Sequence, residues 1–247
     1  DLTGILNGID ADEWDPTSDP HLPAHFSADD LDGKAMCKAE LQAELGLPID
    51  GERPMIASVG RLDPQKGTDL LIESVPWMVQ RGAQVVFLGS AAAAHNAYER
   101  QLRELERAFP RQVRAWIGFS EGLAHRIEAA ADIFAMPSRF EPCGLNQLYS
   151  MRYGTVPVVR HTGGLADSVA TPEEVGHRAT GFRFGPFTGF ALREGLHRAL
   201  HLWETDRDAF DRMRRNGMRQ DLSWDATVAQ YEDVYRKGAA RRGLSLD

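Results

Sequence analysis

Asp132-Ile133-Phe134-Ala135-Met136, followed after Pro137 by Ser138-Arg139-Phe140-Glu141-Pro142-Cys143-Gly144-Leu145-Asn146-Gln147-Leu148-Tyr149, is the stretch on which the fold reading turns. The first five residues form an apolar run that reads as a buried strand. Apolar residues at Leu145, Leu148, Tyr149 and Met151 then read as a helix starting from Gly144. Between strand and helix stand a carboxylate, a proline, a thiol and a glycine. Pro142 and Gly144 bend and free the backbone, so the first helical N–H groups can face a crevice. Such a helix start attracts anions, phosphates in particular. Glu141 stands beside that anion site, where a neutral hydroxyl-rich group could be held. The combination fits a sugar nucleotide.

Working outward, strand and helix patterns alternate on both sides of this stretch. Met55–Val59, Gln84–Leu88, Val113–Ile117, Thr155–Val159 and Gly181–Phe184 read as strands. Gly33–Leu45, Thr68–Gln80, Asn96–Phe109 and Glu121–Ala130 read as helices between or before them. After Gly189 the chain is helical over Phe190–Thr205, Asp206–Met218 and Ser223–Lys237, with Ser223 as N-cap and a frayed tail from Gly238 to Asp247. Near-continuous apolar strands alternating with helices predict an α/β fold, a Rossmann-like parallel sheet covered on both faces. Ligands in such sheets bind at the carboxyl ends of the strands, so the loops after Val59, Ile117, Met136 and Val159 should share one rim. Residues 12–32, rich in Asp and Pro, read as a surface excursion, and Asn7-Gly8 as a tight turn. The tract Ala91–Ala94 is too short to interpret. The expected organisation is an interdomain segment and excursion over 1–50, a core over 51–220, and a C-terminal helix and tail over 221–247.

The bulk numbers bound the chemistry. With 247 residues, 43% hydrophobic and 26% charged, the chain can bury a sizeable core as one large α/β domain or two small ones. A net charge of -8 disfavours broad binding of nucleic acid or anionic membranes. Cys37 and Cys143 are far apart and suggest no disulfide framework, which favours a reducing compartment. No apolar run is long enough to span a bilayer, and no signal peptide is evident. The opening Asp1-Leu2-Thr3-Gly4 reads as the interior of a longer protein.

Two further segments on the predicted rim carry chemistry. In Gly60-Arg61-Leu62-Asp63-Pro64-Gln65-Lys66-Gly67-Thr68, the order Lys-Gly-Thr rules out a P-loop. Arg61 as a planar fork and Lys66 as a point charge can still neutralise a diphosphate, unless they are two solvated surface cations. In His161-Thr162-Gly163-Gly164-Leu165, the paired glycines either form a plain turn or let a ligand approach the backbone closely. Cys143 is read as a packing or backbone group rather than a nucleophile. His197 and His201 have the spacing of two metal ligands, but no Glu follows His197, and they read as helix-surface histidines. His125 is read as capping or packing, and no Gly-x-Gly-x-x-Gly follows the first strand to favour a dehydrogenase.

Four blocks together resemble the signatures of the starch and glycogen synthases: Ile5-Leu6-Asn7-Gly8-Ile9-Asp10, Gly60-Arg61-Leu62 with Gln65-Lys66-Gly67, Ser138 through Leu145, and Thr162-Gly163-Gly164-Leu165. They follow the family's order with compatible spacing over nearly the whole chain. The wording around them is more similar to the soluble starch synthases of plants and green algae, which implies a plastid stroma, with bacterial cytoplasm as the alternative. The resemblance implies the C-terminal, donor-binding half of a two-domain GT-B glycosyltransferase. Its donor would be ADP-glucose, its acceptor an α-1,4-glucan reached through an N-terminal domain not in this chain, and its products ADP and a glucan longer by one glucose, with configuration retained. Carried over, Arg61 and Lys66 would hold the diphosphate and Glu141 would lie against the glucose. Cys143, Gly144, Leu145, Asn146, Thr162, Gly163 and Gly164 would contact sugar or phosphate, and Asn7 would reach in from the interdomain segment. Phe119, where bacterial relatives often have Tyr, keeps ring stacking on adenine but loses a phenolic hydrogen bond. Asn146 stands where those relatives have Thr. No metal or cofactor is required by this set. The alternatives are a transferase using a UDP-sugar and a non-catalytic nucleotide- or glucan-binding module.

Overall fold

The computed structural model describes residues 3–92 and 96–242. Ala93 and Ala94 of the short alanine tract, His95, the first two residues and the last five residues of the expected tail lie outside the described residues. Six strands, β1 (Met55–Val59), β2 (Gln84–Gly89), β3 (Val113–Ile117), β4 (Ile133–Met136), β5 (Val156–Arg160) and β6 (Phe182–Phe184), form one sheet in the order β3-β2-β1-β4-β5-β6. Every neighbouring pair is parallel. The α/β expectation holds, and each predicted strand is present to within a residue or two of its predicted ends.

Side-chain alternation explains why these strands are apolar at nearly every position. Ile56, Val85, Phe87, Ile133, Ala135 and Val158 enter one core. There they meet α2 (Thr68–Gln80), α3 (Asn96–Ala108) and α8 (Gly189–Thr205) through Leu71, Leu102 and Leu196. Their sequence neighbours Met55, Ala57, Val86, Leu88, Phe134 and Val159 enter the other. That second core is closed by α1 (Asp32–Glu44), α4 (Glu121–Ala130) and the short α6 (Gly163–Ser168) through Leu41, Ile127 and Leu165. Burying both faces excludes water from both sides of the sheet, at about 25 cal/mol per Å² of apolar surface.

The remaining helices are α5 (Asn146–Arg152), α7 (Pro172–Val175), α9 (Arg207–Met218) and α10 (Asp225–Arg241). Four expectations are corrected. Residues 12–32 are not simply a surface excursion, because Leu22 and Phe26 are buried in a cluster with Cys37 and Tyr153. Helix α5 begins at Asn146, two residues after Gly144, because Gly144 adopts a left-handed φ of 76° that α-helix cannot continue. Ser223 does not cap α10: its Oγ donates to Asp221 Oδ1 at 2.7 Å, and its backbone pairs with Ile9. Asn7-Gly8 is not a turn, since that pairing holds the segment extended and the turn comes at residues 11–13. Helices α6 and α7 also went unforeseen. Two buried cations tie α1 to the body. Lys34 Nζ donates to the carbonyls of Ala129 and Tyr153 and to Thr155 Oγ1 at 2.8–2.9 Å. Lys38 Nζ pairs with Asp132 at 2.7 Å.

Candidate active site

Chain order reverses between β1 and β4. From β1 the chain moves outward to β2 and β3, and from β4 it moves to β5 and β6. At such a switch point the loops diverge and leave a crevice at the carboxyl ends of the strands. Backbone hydrogen bonds stitch those loops into the predicted rim. Leu62 N–H donates to Ser90 O at 2.9 Å, Gly118 N–H to Gly89 O at 2.9 Å and Arg139 N–H to Gln65 O at 2.7 Å. Gly60, Arg61, Lys66, Ser138 and Asn146 line the crevice between them.

Its centre is an ion pair formed across 75 residues of sequence. Lys66 Nζ lies 2.6 Å from Glu141 Oε2, and Ser138 Oγ donates to the same oxygen at 3.2 Å. Glu141 is 8% exposed, so the pair sits at the mouth of the crevice with its carboxylate nearly enclosed. The loop carrying Lys66 is preformed. Asp63 Oδ1 accepts the Lys66 N–H at 2.9 Å, and Asp63 O accepts from Thr68 Oγ1 at 3.1 Å. Gly67 then packs against the end of β4, where a Cβ would come 2.2 Å from Pro137 O. That contact accounts for the Lys-Gly-Thr order that fails as a P-loop: the glycine is needed for packing. Arg61, with its side chain 65% exposed, is held at the rim by Asp63 at 2.7 Å and Gln65 at 3.0 Å.

The other predicted residues join this centre in different ways. Asn146 Nδ2 donates to Val59 O at 2.7 Å, which ties the start of α5 to the end of β1. Its amide is thereby committed to positioning. Cys143 Sγ accepts the Asn7 N–H at 3.3 Å, and Asn7 Oδ1 accepts from Tyr231 on α10 at 3.2 Å. Asn7 therefore does reach the loop after β4. Gly163 and Gly164 pack on that loop: a Cβ at either would lie 2.2 Å from Glu141 O or Cys143 O. The Gly164 N–H is used on Glu141 O at 3.0 Å, so this glycine seats the Glu141 loop through its backbone. Thr162 precedes α6 in extended conformation and accepts the Leu165 N–H through its carbonyl at 3.2 Å. Leu145 is 37% exposed beside Gly144. Phe119 is 90% exposed and borders an adjoining cleft of about 280 Å³ with Gly60, Arg61, Leu88, Ser120 and Asn146. A planar heterocycle could stack there.

Sequence reasoning missed the supporting residues. Ser138 carries no signal of its own within its block, and Arg160 stands in no motif. Arg160 Nε donates to Ser138 O at 2.6 Å and its guanidinium also reaches Arg139 O, so it clamps the backbone leading to Glu141. A cation at the end of β5 was the available signal. His125, expected to pack, is buried and hydrogen-bonded to Asp19 at 2.7 Å.

The profile of the family described as glycosyl transferases group 1 matches residues 44–218. The chain belongs to that family. Among curated relatives of this group 1 chain, a glycogen synthase of Anaeromyxobacter dehalogenans is 54% identical over 98% of this chain and 50% of its own length. Soluble starch synthase 1 of Solanum tuberosum is 45% identical over 95% of this chain and 37% of its own. The chain thus spans about half the length, or less, of the curated relatives it matches. A structure of the catalytic domain of starch synthase IV from Arabidopsis thaliana, bound to ADP and acarbose, superposes with a TM-score of 0.89 and 38% identity. It is matched over 95% of this chain and 48% of that one. The fold is accordingly of the GT-B glycosyltransferase type. Bacterial glycogen synthases and plant soluble starch synthases both stand among the relatives. No helix among the described residues is long and apolar enough to cross a membrane.

Proposed function

We propose that this chain is the donor-binding half of a glucosyltransferase that moves glucose from ADP-glucose to the non-reducing end of an α-1,4-glucan with retention. The observation that carries the proposal is the Lys66–Glu141 pair at the β1/β4 switch point. The likeness to glycogen and starch synthases, one of them seen with ADP, supports it. In this reading the ADP phosphates take Lys66 and Arg61, and adenine stacks on Phe119 in the adjoining cleft. Breaking the bond between the anomeric carbon and ADP leaves the electron pair, and negative charge, on the diphosphate. Lys66 and Arg61 stabilise that charge where it develops. Positive character grows on the sugar at the same time, and the Glu141 carboxylate offsets it. The Glu141 carboxylate is engaged by Lys66 and Ser138, which favours an electrostatic and orienting role over double displacement. The positive charge the transfer requires comes from the two side chains, with no metal or cofactor.

The glucan acceptor is assigned to an N-terminal domain outside this chain, so the chain alone binds ADP without elongating glucan. The compartment we assign is the plastid stroma if the source is a plant or alga, and the bacterial cytoplasm otherwise. Titration with ADP while following backbone amides tests the site. Shifts should cluster at 61–67, 119, 141–146 and 162–165. Shifts elsewhere alone, or preference for UDP-glucose over ADP-glucose in competition, would overturn the assignment.

A further inference from the structure

A second cluster of chemistry-bearing side chains lies where the 10–19 loop crosses α4. Glu13 on the loop, Glu121 in the first turn of α4 and His125 one turn later bring one ligand atom each to within 4.8 Å of one another. The two carboxylates are exposed, whereas His125 is 1% exposed. Its Nδ1 lies 2.7 Å from Asp19 Oδ2, an oxygen that also accepts from Tyr153 at 2.5 Å. Asp19 therefore fixes the tautomer with the proton on Nδ1 and leaves the Nε2 lone pair free. That Nε2 is buried and makes no hydrogen bond. The ring cannot easily turn away, because Trp14 stacks on it at 3.7 Å with an interplanar angle of 18°. Trp14 is in turn stacked on Tyr149 at 3.8 Å.

The two carboxylates and the unpartnered ring nitrogen thus lie together, beside the His21 ring at 4.9 Å, with no hydrogen bond made by Nε2. A buried lone pair without a partner is costly, and two carboxylates beside it add repulsion. A metal ion relieves all three at once. Ligand atoms about 2.0–2.2 Å from one ion stand about 3–4 Å apart, a spacing that lies inside the 4.8 Å bound on this grouping. Asp19 hydrogen-bonded to the far nitrogen supplies the carboxylate–histidine–metal arrangement that orients a ligating imidazole. One imidazole with two carboxylates suits a first-row transition metal better than calcium or magnesium, which prefer oxygen ligands throughout.

We propose that Glu13, Glu121 and Nε2 of His125 form a binding site for a divalent transition metal, Zn²⁺ foremost, that clamps the 10–19 loop onto α4. The site does not depend on the donor assignment above, and loss of one leaves the other standing. The test is calorimetric titration of chelator-stripped protein with ZnCl₂, with the thermal midpoint followed alongside. One tight site per chain and a raised Tm are expected. The double variant Glu13→Gln/Glu121→Gln, altered only at exposed side chains, should keep its circular dichroism and weaken the tight phase by about tenfold or more. His201→Asn controls for the His197–His201 pair on α8, whose rings lie 6.0 Å apart, and should leave the tight phase intact. Absence of a tight phase overturns the proposal. So does a tight phase that weakens less than tenfold in the double variant, or one that disappears with His201→Asn.

Discussion

Replacing Glu141 with Gln should tighten ADP binding while slowing transfer, and the sign of the first effect is the sharper test. In the free protein Lys66 Nζ is bound to Glu141 Oε2 at 2.6 Å. If ADP binds as proposed, it engages Lys66 only by sharing or displacing that carboxylate, and it brings its own negative charge beside Glu141. One unit charge about 5 Å from another, at an effective dielectric of about 20, interacts by about 3 kcal/mol. The Lys66 side chain is 29% exposed, so water and salt screen the repulsion to about 1 kcal/mol. Glu141→Gln would remove that repulsion with little change in shape, and ADP should bind about fivefold tighter in calorimetry at low salt. The complementary change Lys66→Met should weaken ADP by about tenfold or more, since a charge-assisted hydrogen bond is lost. In a complete two-domain protein, Glu141→Gln should lower turnover by about a hundredfold or more. Weaker or unchanged ADP binding in the Glu141→Gln variant would refute the reasoning, because Glu141 could then not be competing with phosphate for Lys66.

Phe119→Ala should leave the thermal midpoint within about a degree, since the ring is 90% exposed, yet weaken ADP severalfold in the same titration if adenine stacks there. Gly164→Ala should destabilise by about 2–4 kcal/mol in urea unfolding, because its Cβ would lie 2.2 Å from Cys143 O and 2.5 Å from Cys143 Cα, both backbone atoms. Normal stability there would show that the Glu141 loop is not seated on α6. Burial raises the Glu128 pKa from 4.5 to about 8, so the folded state holds a proton that the unfolded chain has released. Stability from this group is full below pH 4.5 and is lost as pH rises through about 8, with a slope of at most about 1.4 kcal/mol per pH unit. Glu128→Gln should flatten that decline in urea unfolding free energy, and an unchanged slope would refute the assignment.

The scaffold was legible because each strand announces itself over several consecutive apolar residues. Val85-Val86-Phe87-Leu88 must be apolar at every position when alternate side chains enter two different cores. The rim was legible too, since parallel strands force their following loops to one end of the sheet. What failed to show was everything set by partners distant in sequence. Helix α6 starts with two glycines, poor helix formers, and is sited by contact with Glu141 and Cys143 about twenty residues upstream. His125 could be read only as packing because its meaning depends on Asp19 and Trp14, over a hundred residues earlier. Lys34, charged in sequence, is buried because four oxygens from α4 through Thr155 converge on it, and no local pattern encodes that.

The same division of range explains the design of the site. Glu141 and Lys66 come from two loops whose backbones are held by their own contacts and joined by the Arg139 N–H to Gln65 O bond. Asp63 and the Gly67 packing fix one, while Arg160, Ser138 and the Gly163-Gly164 contact fix the other. Their ion pair can exchange partners without either backbone moving, since it is the side chains alone that meet. A donor phosphate arriving at Lys66 would release Glu141 from its 2.6 Å contact at the moment a sugar is delivered beside it. On the proposed reading, the carboxylate needed against a developing positive sugar is held neutralised until the donor is bound. A site working in this way would store its two opposite charges against each other and separate them only when the substrate supplied both counterparts.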